Sequence, residues 1–238
     1  MPMLAPFDLI ALDADDTLWH NEPKFYATQE QFRSLLTGYH TPAWIDERLH
    51  ETEKRNLAHF GYGVKGFVLS MIETAVELTE GRISGQEVQQ IINLGHSMLT
   101  APVELIDGVR EAVEQLSRDY PLALLTKGDL FDQETKLARS RLGELFSHVE
   151  IVSEKNAVTY SAVMKRRGVE PSRFLMVGNS LRSDVLPVLE AGGAAVHVPY
   201  PLTWVHEDVP EDALAGKHFA CLTHIRELSA WLAIQASQ

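Results

Sequence analysis

The feature that most constrains the fold is an alternation of apolar runs and helix-forming segments after Pro102. The runs are PLALLTKGD, HVEIVSEKN, RFLMVGNS and AAVHVPY, with a further one near residues 218–221. The run at residues 7–13 is apolar and does not alternate with polar residues, so it is expected to belong to the same sheet. Strands that alternate with helices predict an α/β fold with a Rossmann-like parallel sheet and helices on both of its faces.

The segment between the first strand and Pro102 has a different pattern. Its apolar residues recur at helical spacing in four stretches, and it contains no convincing strand. Ser84 with Glu87 has the spacing of a capping box at the start of the fourth helix. We therefore predict a discontinuous core of residues 1–18 and 102–238 and an inserted four-helix cap of residues 19–101.

Composition narrows the classes of function. The chain has 238 residues, a formal net charge of −12 and a pI near 5.3. This acidic balance argues against a nucleic-acid partner, and no apolar run is long enough to span a bilayer. The first residues do not resemble a signal peptide, so a cytoplasmic location is expected. The single cysteine, Cys221, is expected to be a small buried apolar residue.

The stretch LDADDTLW places three carboxylates, Asp13, Asp15 and Asp16, directly after the first strand. Like charges so close together disfavour ionisation unless a positive group lies among them. The cluster therefore indicates a cation, a phosphate-binding setting, or both. An EF-hand is excluded because Leu18 and Lys24 stand where that loop needs glycine and glutamate.

Three later strands also end in polar residues. The second strand ends at Thr126-Lys127-Gly128, the third leads to Glu154-Lys155-Asn156, and the fourth ends at Gly178-Asn179-Ser180 with Asp184 shortly after. Ligands of parallel sheets bind at the carboxyl ends of the strands. Carboxylates, a hydroxyl, an ammonium group and a glycine turn on one edge suit phosphoryl transfer with a divalent cation.

These residues in this order resemble the motifs of the haloacid dehalogenase superfamily. Asp13, Asp15 and Thr17 match its Asp-x-Asp-x-Thr motif, Thr126 its strand-terminal Thr or Ser, and Lys155 its lysine. Gly178 and Asp184 match its last acidic motif, in which Asn179 replaces the usual aspartate. The inserted helices are similar to the family's helical cap, so the resemblance covers the whole chain. The amino-acid sequence of the first motif, DADDTLW, is most similar to the corresponding motif of phosphatases that act on nucleotides or small sugar phosphates.

The resemblance implies a role for each of these residues. Asp13 would be the nucleophile that forms an aspartyl-phosphate, and Asp15 the general acid and then base. The implied substrate-binding residues are Thr126, Lys127 and Lys155, and Lys155 would also offset charge as a catalytic residue. Mg²⁺ would be the cofactor, held by Asp13, the Asp15 carbonyl, Asp184 and Asn179, and the partner a small phosphorylated metabolite.

Two alternatives stay open at this point. A dehalogenase of the same superfamily attacks carbon and needs neither an acid at position 15 nor a metal, and a silent binding module could use the same fold. Trp19 either packs in the core or touches substrate, and the glycine-containing segment 59–67 either gates the site or only connects two helices. The sequence identifies neither the phosphate ester nor the oligomeric state.

Overall fold

The structure is a computed structural model that describes residues 6–202, 204, 207 and 209–237 of the 238-residue chain. Residues 1–5, 203, 205, 206, 208 and 238, all within the predicted core, lie outside the described residues. The chain divides into two compact units. One unit comprises Met1–His20, Val103–Lys127 and Gln133–Gln238, and the other comprises Asn21–Pro102 and Gly128–Asp132.

The secondary structure alternates as the sequence predicts. The strands are β1 (Leu9–Leu12), β2 (Leu122–Lys127), β3 (His148–Val152), β4 (Phe174–Gly178), β5 (Ala194–His197) and β6 (Ala220–Cys221). The helices are α1 (Glu22–Leu36), α2 (Pro42–Phe60), α3 (Val64–Leu78), α4 (Gly85–Thr100), α5 (Val109–Asp119), α6 (Leu130–Ser140), α7 (Ala157–Arg167), α8 (Leu186–Glu190) and α9 (Leu228–Gln235).

The six strands of the described residues form one parallel sheet with the order β3-β2-β1-β4-β5-β6, which confirms the predicted fold class. In the centre of the sheet, Leu12 of β1 lies opposite Leu124 of β2 and Val177 of β4. The carboxyl ends of these three strands therefore meet at one edge. The residues that follow them are brought together there, as expected for a parallel sheet.

Each face of the sheet carries its own apolar core. Ile10 and Leu12 of β1 belong to a cluster that includes residues of α5 and α9, whereas Leu9 and Ala11 belong to a cluster with residues of α7 and α8. Successive side chains of a strand point to opposite faces, so a run with apolar residues at every position suits a sheet covered on both sides. Burying one large apolar side chain contributes about 1.5–3 kcal/mol, so the side chains on both faces of β1 stabilise the sheet.

The second unit consists of α1–α4 around a separate core that includes Phe32, Ile45 and Met71. Ser84 and Glu87 form the predicted capping box at the start of α4. The segment Gly128–Asp132, which the sequence assigned to the core, groups with these helices. Lys65 donates to both carboxylate oxygens of Asp129 at 2.9 Å, which accounts for that grouping.

Two kinds of helix follow β4. A π-helical turn at Leu181–Val185 precedes α8, and Pro187 lies in the first turn of α8 where its missing N–H costs little. One sequence expectation is wrong: Cys221 is exposed and not buried, because β6 is a short edge strand. Within the described residues no helix is both long and apolar enough to cross a membrane.

Candidate active site

The first acid of the cluster, Asp13, is fixed at the carboxyl end of β1. Its backbone N–H donates to the Val177 carbonyl at 2.9 Å, which continues the pairing of β1 with β4. Its side chain is buried, and Oδ2 accepts a hydrogen bond from the Thr17 hydroxyl at 3.1 Å. Thr17 therefore serves as the orienting group that the Asp-x-Asp-x-Thr spacing brings to the start of the loop.

Lys155 joins the first and last motifs. It lies between β3 and α7, where Asn156 caps the helix by accepting from the Thr159 N–H at 2.9 Å. Its buried Nζ donates to Oδ1 of Asp13 and, at 2.7 Å, to Oδ1 of Asp184. Residues far apart in sequence therefore form one buried charge cluster.

The charges of this cluster do not cancel. Two carboxylates, Asp13 and Asp184, share one ammonium group, so the three ionised side chains carry one net negative charge. Burial raises the pKa of Asp13, opposed by Lys155 and reinforced by Asp184. Burial alone would lower the pKa of Lys155, but the two carboxylates raise it above its ordinary value. A site with this excess of negative charge favours an added cation.

Asp184 reaches the site from the π-helical turn before α8. Its Oδ2 accepts from the Ser180 N–H at 2.9 Å, and Ser180 in turn caps the turn by accepting from the Ser183 N–H at 2.9 Å. A Cβ added to Gly178 would lie 2.1 Å from Oδ2 of Asp184, so the carboxylate packs directly against this glycine backbone. The close approach explains the glycine, and a π-turn at this position is typical of functional sites.

Asn179 contacts oxygen atoms of three residues of the first motif. Its backbone N–H donates to the Thr17 hydroxyl at 3.1 Å. One terminal atom of its amide lies 3.2 Å from Asp13 Oδ2 and 3.3 Å from the Asp15 carbonyl oxygen. An amide nitrogen at this position donates to both oxygens, whereas an amide oxygen there requires a cation among the three.

The donor set fits Mg²⁺. This ion prefers oxygen ligands at about 2.0–2.1 Å in octahedral geometry, so neighbouring ligand oxygens lie about 3 Å apart. The 3.2 and 3.3 Å separations around Asn179 come close to that spacing when the amide turns its oxygen, and not its nitrogen, towards the first motif. Among the described residues no three His, Cys, Asp or Glu side chains form a metal-holding group. The residues that would hold such an ion are the carboxylates of Asp13 and Asp184, together with the Asp15 carbonyl and the Asn179 amide.

The Asp15 side chain is held apart from that set. Its Oδ1 accepts from Trp19 Nε1 at 2.7 Å and from Lys136 Nζ at 2.9 Å, and its Oδ2 accepts from Gln133 Nε2 at 2.8 Å. Burial raises the pKa of Asp15, but Lys136 and the hydrogen bonds from Gln133 and Trp19 outweigh it, so the pKa lies below the ordinary value. Trp19 is thus both a buried core residue and a hydrogen-bond donor to the Asp15 carboxylate.

The end of β2 carries Thr126 and Lys127. Thr126 is buried, and its hydroxyl lies 3.5 Å from the Lys127 carbonyl oxygen, the outer limit of a hydrogen bond. Lys127 donates to the Ser183 hydroxyl at 2.8 Å and pairs with Glu207. Glu207 also accepts from the hydroxyls of Ser183, at 2.7 Å, and Ser180. A residue predicted to meet substrate is thus already paired with a carboxylate.

Sequence reasoning did not find Gln133, Lys136 or Glu207. Gln133 and Lys136 carried a local signal, because a polar pair three residues apart shares one helix face directly after the Thr126 motif. Glu207 carried none, since nothing in a loop after β5 shows that its carboxylate reaches β2. The remaining predicted site residues follow strand ends. Asp13, Asp15 and Asn179 come directly after β1 and β4, Lys155 lies in the loop between β3 and α7, and Asp184 lies in the π-helical turn after β4.

Comparison with known proteins gives one family and several relatives. A family model described as haloacid dehalogenase-like hydrolase matches residues 7–192. Glyceraldehyde 3-phosphate phosphatase of Methanothermobacter thermautotrophicus is 29% identical over 136 residues, which cover 53% of this chain. The match spans 60% of the length of that curated relative.

Solved structures share the fold. A haloacid dehalogenase-like family hydrolase from Xanthomonas campestris is 41% identical with a TM-score of 0.85, covering 98% of this chain and 94% of its own. A 2-haloacid dehalogenase from Pseudomonas syringae is 19% identical with a TM-score of 0.62, covering 96% of this chain and 99% of its own. The second likeness concerns the fold alone.

Proposed function

The chain belongs to the haloacid dehalogenase-like hydrolase family, and on this premise we propose that it is a magnesium-dependent phosphatase of small phosphate monoesters. The observation that carries the proposal is Asp15, a second carboxylate held separately from Asp13 by its own donors. An alkoxide leaving group needs a proton, whereas a halide leaves as a stable anion. A second carboxyl group that has its own hydrogen-bond donors therefore favours phosphate esters over haloacids as substrates.

The first chemical step uses both acids. The Asp13 carboxylate forms a bond to phosphorus while the bond from phosphorus to the ester oxygen breaks. Asp15, which its donors keep ionised in the free protein, takes up a proton with the bound substrate and gives that proton to the ester oxygen. The products are an alcohol, an aspartyl-phosphate on Asp13 and an ionised Asp15. Lys155, already bonded to Asp13 and Asp184, offsets the charge that gathers on the phosphoryl oxygens.

The second step reverses the role of Asp15. Its carboxylate accepts a proton from water as the water oxygen bonds to phosphorus and the acyl-phosphate bond breaks. Inorganic phosphate leaves, and both Asp13 and the protonated Asp15 are restored. Mg²⁺, which Asp13, Asp184, the Asp15 carbonyl and Asn179 would hold, supplies electrostatic stabilisation of the phosphoryl oxygens.

The distant relative suggests the class of substrate. Glyceraldehyde 3-phosphate phosphatase acts on a small sugar phosphate, and a small phosphorylated metabolite is the partner that we propose for this chain. The test is a panel containing p-nitrophenyl phosphate, glyceraldehyde 3-phosphate, other sugar phosphates and nucleoside monophosphates. Each is assayed for phosphate release with Mg²⁺ and with EDTA, and 2-chloropropionate is assayed for halide release.

Asp13→Asn tests the covalent step, with exposed Asp119→Asn as the matched control. We expect phosphate release in Mg²⁺ that EDTA and Asp13→Asn abolish and that Asp119→Asn retains. Beryllofluoride, which mimics an aspartyl-phosphate, should bind to the wild type and not to Asp13→Asn. Halide release without phosphate release, or full activity of freshly prepared Asp13→Asn, would overturn the proposal.

A further inference from the structure

The Asp15 carboxylate is surrounded by donors. Oδ1 accepts from Trp19 at 2.7 Å and from Lys136 at 2.9 Å, and Oδ2 accepts from Gln133 at 2.8 Å and from Lys136 at 3.1 Å. A carboxylate has about four acceptor positions, and here four contacts engage its two oxygens. These three side chains therefore hold the orientation of the carboxylate.

Two of the donors come from one face of α6. Gln133 and Lys136 lie three residues apart, so their side chains project from neighbouring positions of the helix. Gln133 also donates to the Lys127 carbonyl at 3.1 Å, which ties this helix face to the end of β2. This hydrogen bond fixes Gln133 relative to the end of β2, and Lys136 projects from the same face of the helix.

Gln133 is not the side chain that packing alone would favour, because burying its polar amide lowers the stability of the fold. Its side chain is 3% exposed, and its Oε1 has no hydrogen-bond partner among the described residues. An apolar side chain of similar size would fill the same space without burying an unpaired oxygen. What the amide adds is its N–H group, which is directed at Asp15 and at the Lys127 carbonyl.

We propose that Gln133 and Lys136 are positioning residues that hold Asp15 in place for proton transfer to the leaving group. The proposal rests on the phosphatase function proposed above and adds two residues to it. Neither side chain is assigned contact with substrate, and both act through Asp15. Misplacing a catalytic acid by about 1 Å can cost about 100-fold in rate.

The test compares Lys136→Met, Lys136→Arg and Gln133→Met with the wild type on substituted phenyl phosphates. A poor leaving group such as phenoxide depends on the proton of Asp15, whereas p-nitrophenoxide depends on it much less. We expect Lys136→Met to lower kcat/KM about 10- to 100-fold for phenyl phosphate and less than about 3-fold for p-nitrophenyl phosphate. Gln133→Met should act in the same direction, and Lys136→Arg should restore part of the loss.

A double-mutant cycle distinguishes action through Asp15 from a separate effect. In an Asp15→Ala background, Lys136→Met should cause no further loss of kcat/KM on phenyl phosphate, the substrate on which it has its large effect when Asp15 is present. The exposed Lys165→Met on α7 is the control for loss of a lysine charge. Equal losses across the phenyl series, or losses that multiply with Asp15→Ala, would overturn the proposal.

A crystal structure of Lys136→Met gives a readout that does not depend on the proposed activity. We expect the Asp15 carboxylate to rotate away from Trp19 and Gln133 in this variant. An unchanged Asp15 orientation would overturn the positioning role even if the wild type hydrolysed every phosphate tested. Absence of phosphatase activity in the wild type, with Asp15 displaced in the variant, would instead refute the proposed function and leave the positioning role supported.

Discussion

Nζ of Lys155 lies 2.7 Å from Oδ1 of Asp184, and this contact is buried at the carboxyl edge of the sheet. The same ammonium group bonds Asp13, so the last acidic motif is tied to the first through one lysine. Because Asp184 is also packed against Gly178, a change in the glycine backbone should be transmitted through Lys155 to Asp13.

Gly178→Ala tests this chain of contacts. The new Cβ would lie 2.1 Å from Oδ2 and 2.3 Å from Cγ of Asp184, so the carboxylate must move. We expect kcat/KM for p-nitrophenyl phosphate to fall by about 100-fold or more. The control is Gly85→Ala at the start of α4, where an added Cβ meets nothing within 4 Å. Wild-type activity in Gly178→Ala would show that Asp184 does not need its present position.

Glu207→Gln should destabilise the chain. The substitution removes the charge that Lys127 faces and weakens the hydrogen bonds from Ser180 and Ser183. Hydrogen bonds to a charged group contribute about 1.5–3 kcal/mol, so we expect a loss of about 2 kcal/mol in the free energy of unfolding. Urea denaturation measures it at neutral pH, with exposed Glu190→Gln as the control.

The destabilisation by Glu207→Gln should depend on pH. Burial raises the pKa of Glu207. Lys127 and the hydrogen bonds from Ser180 and Ser183 lower this pKa by more than burial raises it, so the pKa lies below its ordinary value. A lowered carboxyl pKa stabilises the fold above the ordinary pKa, and this stabilisation is lost as pH falls through the lowered value. The difference between wild type and variant should therefore shrink in acid. A difference that is constant from neutral pH to pH 3 would contradict the charge-based account.

The sequence predicts the position of a site residue when that residue lies next to a recognisable strand or helix. It does not predict positions that depend on how a long loop folds. Asp13, Thr126 and Asn179 follow apolar runs directly, so strand order alone brings them to one edge. Glu207 reaches Lys127 only because a loop after β5 folds back, and no local pattern encodes that return. The prediction that Cys221 is buried is wrong, because apolar neighbours favour burial whereas an edge strand of two residues leaves its side chain exposed.

Glu53→Gln should have the opposite effect on stability to Glu207→Gln. Burial, reinforced by the negative charge of Glu22, raises the pKa of Glu53 to about 8 from its ordinary value of 4.5. An acid with a raised pKa weakens the fold as pH rises from about 4.5 to 8, because its charge must be buried. Removing the acid should stabilise the protein above that window and change little at pH 4.

Thermal unfolding at pH 4, 6 and 8 measures this effect. A gain of about 1 kcal/mol raises the Tm of a chain of this size by about 2–4 °C, which is the smallest rise we expect at pH 8. Glu47→Gln, which removes an exposed carboxylate from the same helix, is the control. A Tm that is equally changed at all three pH values would refute the assignment to Glu53 ionisation.

The position of Asn179 predicts how the site responds to metal. Its terminal amide lies 3.2 Å from Asp13 Oδ2 and 3.3 Å from the Asp15 carbonyl oxygen. In Asn179→Asp a carboxylate oxygen would face those two oxygens, so the protein without metal should be less stable through like-charge repulsion. The third carboxylate should also bind Mg²⁺ more tightly, because Mg²⁺ affinity rises with ligand charge in a site of fixed geometry.

A Mg²⁺ titration of Tm and of activity separates these effects in three proteins. In Asn179→Asp we expect a lower Tm in EDTA, a larger rise of Tm with Mg²⁺ and a lower half-activating concentration than in the wild type. Asp184→Asn should raise the half-activating concentration sharply, because Asp13 is then the one side-chain carboxylate left in the set. Unchanged Mg²⁺ dependence in Asn179→Asp, of both Tm and activity, would place Asn179 outside the metal shell and reduce its role to the hydrogen bonds that it makes with Thr17 and the first motif.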